Sequence, residues 1–566
     1  VECKEESRKM CGIVVICSFD PKELREKQAS KVLAKQYHRG PDNTSLLSCG
    51  DITLGHNRLS IIDLSTEANQ PFISGCGRYI IVFNGEIYNY LELKSELEYD
   101  FRTSSDTEVL LASYIKYGVK CISKFNGMFA FAIYDKLEKT LFCARDRIGE
   151  KPFVYSAIDS GFYFASELAA LFSLGIFSDE IDEIGVAYSN LRNFLHIPEP
   201  YTKYKSIRRL EPAHAMIIKD KKIVKKWCYW SPNMEYDENI TKEEVFNVVN
   251  NAVKIRERSD VEIATLLSGG VDRSIISSLM VRHGLKPMAF SLKADNEELS
   301  RAIKMAKILG LELKTFEYNR EAQKELYDRM VKIYGEEVRL LPLTHAARLY
   351  EQISIQGIKV VMSGIGADEI FYGYDNTRKQ LIFSDIIKFV EILPNTFLQI
   401  LEKICSKSND LKLLFELARV KNNNRKGYLY QKEALQKGFL NFNYNLLLDF
   451  WAQKVNTKNY IDVSNWLGLI IENAHSITIS SDLPPMMYGI EARAPFLDVN
   501  VVELAFRIDA HKKVGKSING QNRNKLILKQ AFEKIIPNEI LYASKKGFGY
   551  GIQVGRQEEN LFFKKG

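Results

Sequence analysis

Two glycine turns carry the strongest chemical signal in this 566-residue sequence. Ser268-Gly269-Gly270-Val271-Asp272 follows an apolar run and precedes a stretch with helical spacing. Glycines let backbone N–H groups close on a phosphate, and the positive end of a helix favours its charge. Asp272 can hold Mg²⁺ there, and Ser268 and Ser274 can donate to phosphate oxygens. The GxxxxGK[ST] spacing of a Walker loop is absent, and so is a dinucleotide fingerprint. A single such turn is as often a plain joint between strand and helix. A second one, Ser363-Gly364-Ile365-Gly366-Ala367-Asp368-Glu369, also follows a strand-like run. Two turns on one parallel sheet can both line the crevice at the strands' carboxyl ends, where ligands bind. Far upstream stands Cys11. A lone cysteine is mostly a small buried hydrophobe. At a chain N-terminus, however, its α-amino group, with a pKa of ~7.7–8.0, can take the thiol proton and activate attack on an amide.

The elements that must position these groups fall into two patterns. From residue 10 to about 230 the chain is strand-rich, with an apolar run at 10–16 and strand-like stretches at 52–64, 78–89, 128–135 and 139–146 separated by turn residues. Short strands with few helices predict sheets packed on each other. After a linker at 231–240, residues 242–258 show helical spacing, and 261–284 reads as strand, glycine turn, helix. A strand at 287–294, a helix at 300–311 and a strand at 313–318 follow. This alternation predicts a parallel sheet with crossover helices. Residues 358–374 repeat the strand and glycine turn, and amphipathic helix dominates beyond 375, with KNNNRKG at 421–427 read as an exposed loop.

Composition narrows the class. The chain is too long for one core. A net charge of +7, from 78 Lys and Arg against 71 Asp and Glu, is mild and dispersed, which argues against nucleic acid as a partner. Nine scattered cysteines without a CxxC pair suggest a reducing compartment. No apolar run approaches the ~18–20 residues of a membrane span. The first ten residues lack the apolar core of a signal peptide, so a cytoplasmic protein is expected.

Longer matches identify a family. The two glycine turns, EARAPFLDVNVVELA at 491–505 and KLILKQAFEKIIPNEILYASKKGFGYG at 525–551 resemble the ATP-pyrophosphatase-type half of glutamine-hydrolysing asparagine synthetases. Met10-Cys11-Gly12-Ile13, His38-Arg39-Gly40-Pro41-Asp42, Arg58-Leu59-Ser60-Ile61, Asn84-Gly85-Glu86-Ile87-Tyr88-Asn89 and Ser105-Asp106-Thr107-Glu108 occur in the order of the same family's glutaminase half. The resemblance covers nearly the whole chain. It implies an α+β glutaminase domain of two antiparallel sheets at 11–230 and an α/β ATP-dependent synthetase domain with a helical C-terminal part at 240–566.

It also implies roles. Cys11 would be the nucleophile, with Asn84 and the Gly85 N–H as oxyanion hole. Arg58 would clamp the glutamine α-carboxylate, Glu86 and Asp106 would bind its α-ammonium, and Leu59 and Ile61 would complete the site. Leu267, Ser268, Gly269, Gly270, Asp272, Ser274, Leu292, Ser363 and Gly364 would bind ATP. Asp272 and Asp368 would hold Mg²⁺, and Lys545 would stabilise the developing pyrophosphate. Because Cys11 needs a free amine, residues 1–10 are expected to be removed or non-native. A homodimer stays open.

The synthetase half departs from the family at named positions. Arg273 replaces the first serine of SGGxDSS, and Ile365 replaces the glutamate of SGEGxDE. The segment 336–349 lacks the family's Thr-Arg-Ala-Ser-Thr-type element, leaving Arg339 or His345 to contribute, and Ala543 stands where an arginine is frequent. The expected reaction is glutamine-driven amidation of an adenylated carboxylate, with ATP going to AMP and pyrophosphate. The first expectation for the acceptor is aspartate. The alternatives are another carboxylate (a sugar acid, a peptide or a secondary-metabolite precursor) or a non-synthetic ATP-binding regulator with residual glutaminase activity.

Overall fold

A computed structural model describes residues 11–189, 196–293, 296–317, 323–338, 342–374, 381, 392–404, 460–472, 474–515 and 523–543. The segment 1–10, Arg339, the loop at 421–427 and Lys545 lie outside the described residues.

Among the described residues, twelve strands precede residue 230: β1 (Gly12–Ser18), β2 (Asn43–Cys49), β3 (Ile52–Arg58), β4 (Phe72–Ile73), β5 (Tyr79–Ile87), β6 (Gly127–Asp135), β7 (Thr140–Arg145), β8 (Val154–Ile158), β9 (Gly161–Ala165), β10 (Arg208–Arg209), β11 (His214–Lys219) and β12 (Lys222–Cys228). They form two antiparallel sheets, ordered β10-β8-β9-β1-β3-β2 and β12-β11-β7-β6-β5-β4. Alternation along β1 shows how they stack. Ile13 and Val15 face the layer between the sheets, with Leu54, Val82 and Ala132. Val14 and Ile16 face the opposite side and pack against Ala29, Val32 and Leu33 of the helix Lys22–Lys35. Side chains two apart share a face, so a strand covered on both faces reads as one apolar run. The outer face of the second sheet is covered by the helix Asp106–Tyr117, through Val109, Leu110, Phe129 and Phe131. The result is two antiparallel sheets face to face with helices outside, as the resemblance implied.

The run at 52–64 is not one strand. β3 ends at Arg58, and Asp63 takes a left-handed conformation (φ 54°). The turn serves Arg58, whose guanidinium donates to the carbonyls of Asp63 and Ser65 (2.6 Å) and to Asn69 Oδ1 at 2.8 Å.

Beyond residue 260 lies a five-stranded parallel sheet: β13 (Ile263–Leu266), β14 (Ala289–Lys293), β15 (Leu313–Glu317), β16 (Val360–Met362) and β17 (Glu491–Arg493), ordered β15-β14-β13-β16-β17. Both glycine turns leave neighbouring central strands, β13 and β16, so they open on one crevice, as the topology rule requires.

The two halves meet through buried charge pairs. Arg39 forks onto Asp482 (2.8 and 2.9 Å) and Arg209 pairs with Glu336 (2.7 Å), while Asn126 donates to Asp498 (2.9 Å), a carboxylate already paired with Arg256 of its own half (2.6 Å). Breaking one partner of such a buried pair typically costs ~3–5 kcal/mol, so the halves are held in register.

Candidate active sites

Cys11 lies at the entry to β1, with its Sγ 3.5 Å from the Leu59 N–H just past the end of β3. Arg39 Nε donates to the Cys11 carbonyl at 3.0 Å and so fixes the backbone that carries the thiol. Burial pushes the thiol up to about 12, against the pull of the Leu59 hydrogen bond and the Arg58 charge. It therefore needs a proton acceptor beside it.

One cavity brings together Cys11, Arg58, Leu59, Ile61, Asn84, Gly85, Glu86 and Asp106. Asn84 is fully buried on β5, and its amide has no hydrogen-bond partner among the described residues. Gly85 has φ 148°, and a Cβ there would come within 2.0 Å of the Met128 carbonyl on β6. Only glycine fits while leaving the backbone close to its neighbour strand. Asp106 opens its helix behind Ser105, whose hydroxyl accepts from the Thr107 N–H, and Asp106 Oδ2 accepts from the Ile87 N–H at 2.9 Å. Burial raises Asp106 to about 7, and burial with Glu491 and Asp106 as neighbours raises Glu86 well above the usual carboxylate range. Nearby Asp63 behaves differently: burial opposes its ionisation, but hydrogen bonds from Ser65 and Ser104 outweigh it and hold it below the usual range.

One lining residue was not legible locally. Glu491 belongs to β17, almost 400 residues from Asp106 in sequence, yet it reaches this cavity. Arg493, two residues on, pairs with Glu491 at 2.7 Å and lies 3.5 Å from Glu86. The Arg493 carbonyl accepts from the Ser363 N–H of the second glycine turn at 2.8 Å. One short strand thus touches both candidate sites. The EARAPFLD motif was the available signal, without any indication of where it would land.

The second site is a chamber of about 390 Å³. Ser268, Gly269, Gly270, Asp272, Ser363, Gly364 and Asp368 all line it. Gly269 has φ 70°, and a Cβ there would sit 2.5 Å from the Glu298 carbonyl. Gly270 caps the twelve-residue helix Val271–Arg282, which aims its N-terminus at the chamber. Leu267, Ser274 and Leu292 are buried and stand outside the lining. His345 is also buried and outside it, and burial lowers its pKa to about 4.

Lys525 has a place that sequence reasoning missed. Its Nζ lies 2.7 Å from both oxygens of Asp272 and 2.7 Å from Asp368 Oδ1. The lysine precedes the short helix Leu526–Ala531, inside the C-terminal signature segment. The two carboxylates therefore bracket a cation position. Mg²⁺ uses one or two carboxylates plus phosphate and water oxygens, so this donor pair fits it.

A glutamine amidotransferase domain model matches residues 10–230, and an asparagine synthase model matches residues 244–562. The glutamine-hydrolysing asparagine synthetase 1 of Bacillus subtilis (strain 168) is 30% identical over 570 residues, covering 95% of this chain and 87% of that protein. The amidase chyE of Penicillium rubens is 27% identical over 571 residues, covering 90% and 83%. Among solved structures, the Bacillus subtilis glutamine phosphoribosylpyrophosphate amidotransferase with ADP and GMP gives a TM-score of 0.30 at 17% identity, covering 54% of this chain and 65% of that one. The fold and the matches define an ATP-dependent amidotransferase. The chain belongs to the glutamine-hydrolysing asparagine synthetase family.

Proposed function

We propose that the chain hydrolyses glutamine at Cys11 and uses the ammonia to amidate a carboxylate adenylated at the second site. One observation carries the glutaminase half: Cys11, Arg58 and Asp106 share a cavity with the buried, unpartnered Asn84 amide. In this reading Arg58 receives the α-carboxylate, and the buried carboxylates Glu86 and Asp106 receive the α-ammonium. Cys11, made N-terminal, gives its thiol proton to its own amine and attacks the side-chain amide carbon. The Asn84 amide and Gly85 N–H hold the oxyanion. Ammonia leaves, and water releases glutamate from the thioester.

At the second site the acceptor's carboxylate oxygen attacks the α-phosphorus of ATP, and the bond to pyrophosphate breaks. Ammonia, arriving through the interior, then attacks the acyl carbon and AMP leaves. The turns at Ser268–Asp272 and Ser363–Asp368 would hold the phosphates. Asp272 and Asp368 would hold Mg²⁺, which neutralises phosphate charge when bound, and Lys525 keeps the two carboxylates together. Lys545 remains a candidate for the pyrophosphate from the sequence.

Aspartate is the acceptor that the family implies. A different carboxylate is favoured by Ile365, which lines the chamber where an acidic residue was expected. The test is an assay with glutamine, ATP, Mg²⁺ and a panel of carboxylates, following glutamate and pyrophosphate together. Equal amounts of the two are expected with the true acceptor. Glutamate without pyrophosphate across the panel would favour the regulatory alternative.

A further inference from the structure

The chamber has both polar and apolar lining. Towards β13 and β16 stand the two glycine turns, Asp272, Asp368 and Lys525. The apolar lining comes from Leu343, Ala346 and Leu349 of the helix Pro342–Ile355, from Ile365 of the second glycine turn and from Ile477, and Arg273 and Tyr350 belong to the same lining. Arg273 runs across the second glycine turn: a Cβ placed on Gly364 would lie 3.3 Å from Arg273 Cγ and 3.0 Å from Asp272 Cβ. Its charge is felt by the Tyr350 phenol, and its acidic neighbours are Glu298, Asp272 and Asp368.

We propose that Arg273 determines acceptor specificity, receiving the reacting carboxylate of an acid whose body is apolar and seats against Leu343, Ala346, Leu349, Ile365 and Ile477. This rests on the carboxylate-amidating reading above and names its substrate class. An arginine is a permanent cation whose planar fork matches a carboxylate, so it suits an anion that must be desolvated next to a phosphate. Set beside the first glycine turn, it would hold the carboxylate oxygen near the α-phosphorus. The apolar walls reward burial of hydrocarbon, while an α-ammonium or a second carboxylate would have to reach Glu298, Glu369, Arg301 or Lys529 of the same lining. Aspartate presents both. Glu298 and Glu369 are the glutamates of the lining that could hold an α-ammonium, so the amino group must be varied separately.

The experiment measures pyrophosphate release with ammonium supplied, for aspartate, 3-phenylpropionate, hexanoate and phenylalanine. The expected result is a kcat/KM at least about 10-fold higher for 3-phenylpropionate or hexanoate than for aspartate, with phenylalanine below its deaminated analogue. Arg273→Ser should raise the KM for the preferred acid about 10-fold or more and leave the KM for ATP within about 3-fold, and Arg273→Lys should recover part of the loss. Unchanged glutamine hydrolysis in both variants shows that they fold. Preference for aspartate, preference for phenylalanine over its analogue, or an unmoved acid KM in Arg273→Ser would each overturn the proposal while leaving carboxylate amidation standing. No pyrophosphate with any acid contradicts the underlying reading as well.

Discussion

The two candidate sites differ in how their charge is arranged. In the glutaminase cavity, Glu86, Asp106 and Glu491 crowd together, and burial raises Asp106 to about 7 and Glu86 well above its usual range. That is a site short of positive charge, which a substrate ammonium can supply. In the chamber, the paired carboxylates Asp272 and Asp368 already have Lys525 between them at 2.7 Å, and Leu343, Ala346, Leu349, Ile365 and Ile477 share the lining with Arg273 and Tyr350. In the reading proposed above, the first cavity receives one small zwitterion. The second keeps both glycine turns with Asp272 and Asp368, and the departures at Arg273 and Ile365 line the same chamber.

The largest effect that would sharpen this contrast is expected at Lys525. Lys525→Met removes the cation held between two half-buried carboxylates, Asp272 and Asp368. Pyrophosphate formation should fall about 10²–10³-fold while glutamine hydrolysis stays within about 2-fold. A parallel loss of both activities would show that the two sites are not separate in this way. In the other cavity, Asn84→Ala should lower the kcat for glutamine hydrolysis about 10²–10³-fold with little change in KM, because an oxyanion donor acts in the transition state. A pure KM effect would remove Asn84 from that role.

A smaller effect follows from Asp106. Its carboxyl, raised to about 7 by burial with Glu491 as a like-charged neighbour and opposed by the Ile87 N–H and Arg493, is largely protonated below that pH. An α-ammonium needs the ionised form. The KM for glutamine should therefore rise as pH falls through about 7. Asp106→Asn should raise the KM about 10–100-fold, the worth of a charged hydrogen bond, and flatten the pH dependence. A KM independent of pH between 6 and 8 would argue that Asp106 is already ionised. The smallest change is expected for Ile365→Glu, which should raise ammonium-dependent asparagine formation about 10-fold, roughly one charged contact. No gain would show that Ile365 is not what limits aspartate.

The sequence made the glutaminase cavity legible because its residues sit at strand ends and helix starts, where motif order is also spatial order. Cys11, Arg58, Asn84, Glu86 and Asp106 needed only the two-sheet fold to converge. The end of β3 was misread because apolar residues continue past Arg58 at Leu59, Ile61, Ile62 and Leu64, and beyond the strand Arg58 bonds to the carbonyls of its own loop. Glu491 and Lys525 were missed for another reason. Each reaches its distant partners across more than 150 residues, and no periodicity or local motif reports such a contact. Lys525 lay inside a segment already singled out, but the family pattern drew attention to Lys545. At the acceptor end the sequence did reveal the departures at Arg273 and Ile365, and the fold adds that both line one chamber.

The central claim is that two separate sites are joined by ammonia. Cys11→Ala tests it most directly, with pyrophosphate release measured once with glutamine and once with ammonium, using the acid that the intact protein prefers. The account predicts loss of glutamine-driven release by at least about 10⁴-fold, as expected for a removed nucleophile, with ammonium-driven release within about 2-fold of the unmodified protein. Equal loss with both nitrogen sources, or full retention with glutamine, would contradict it.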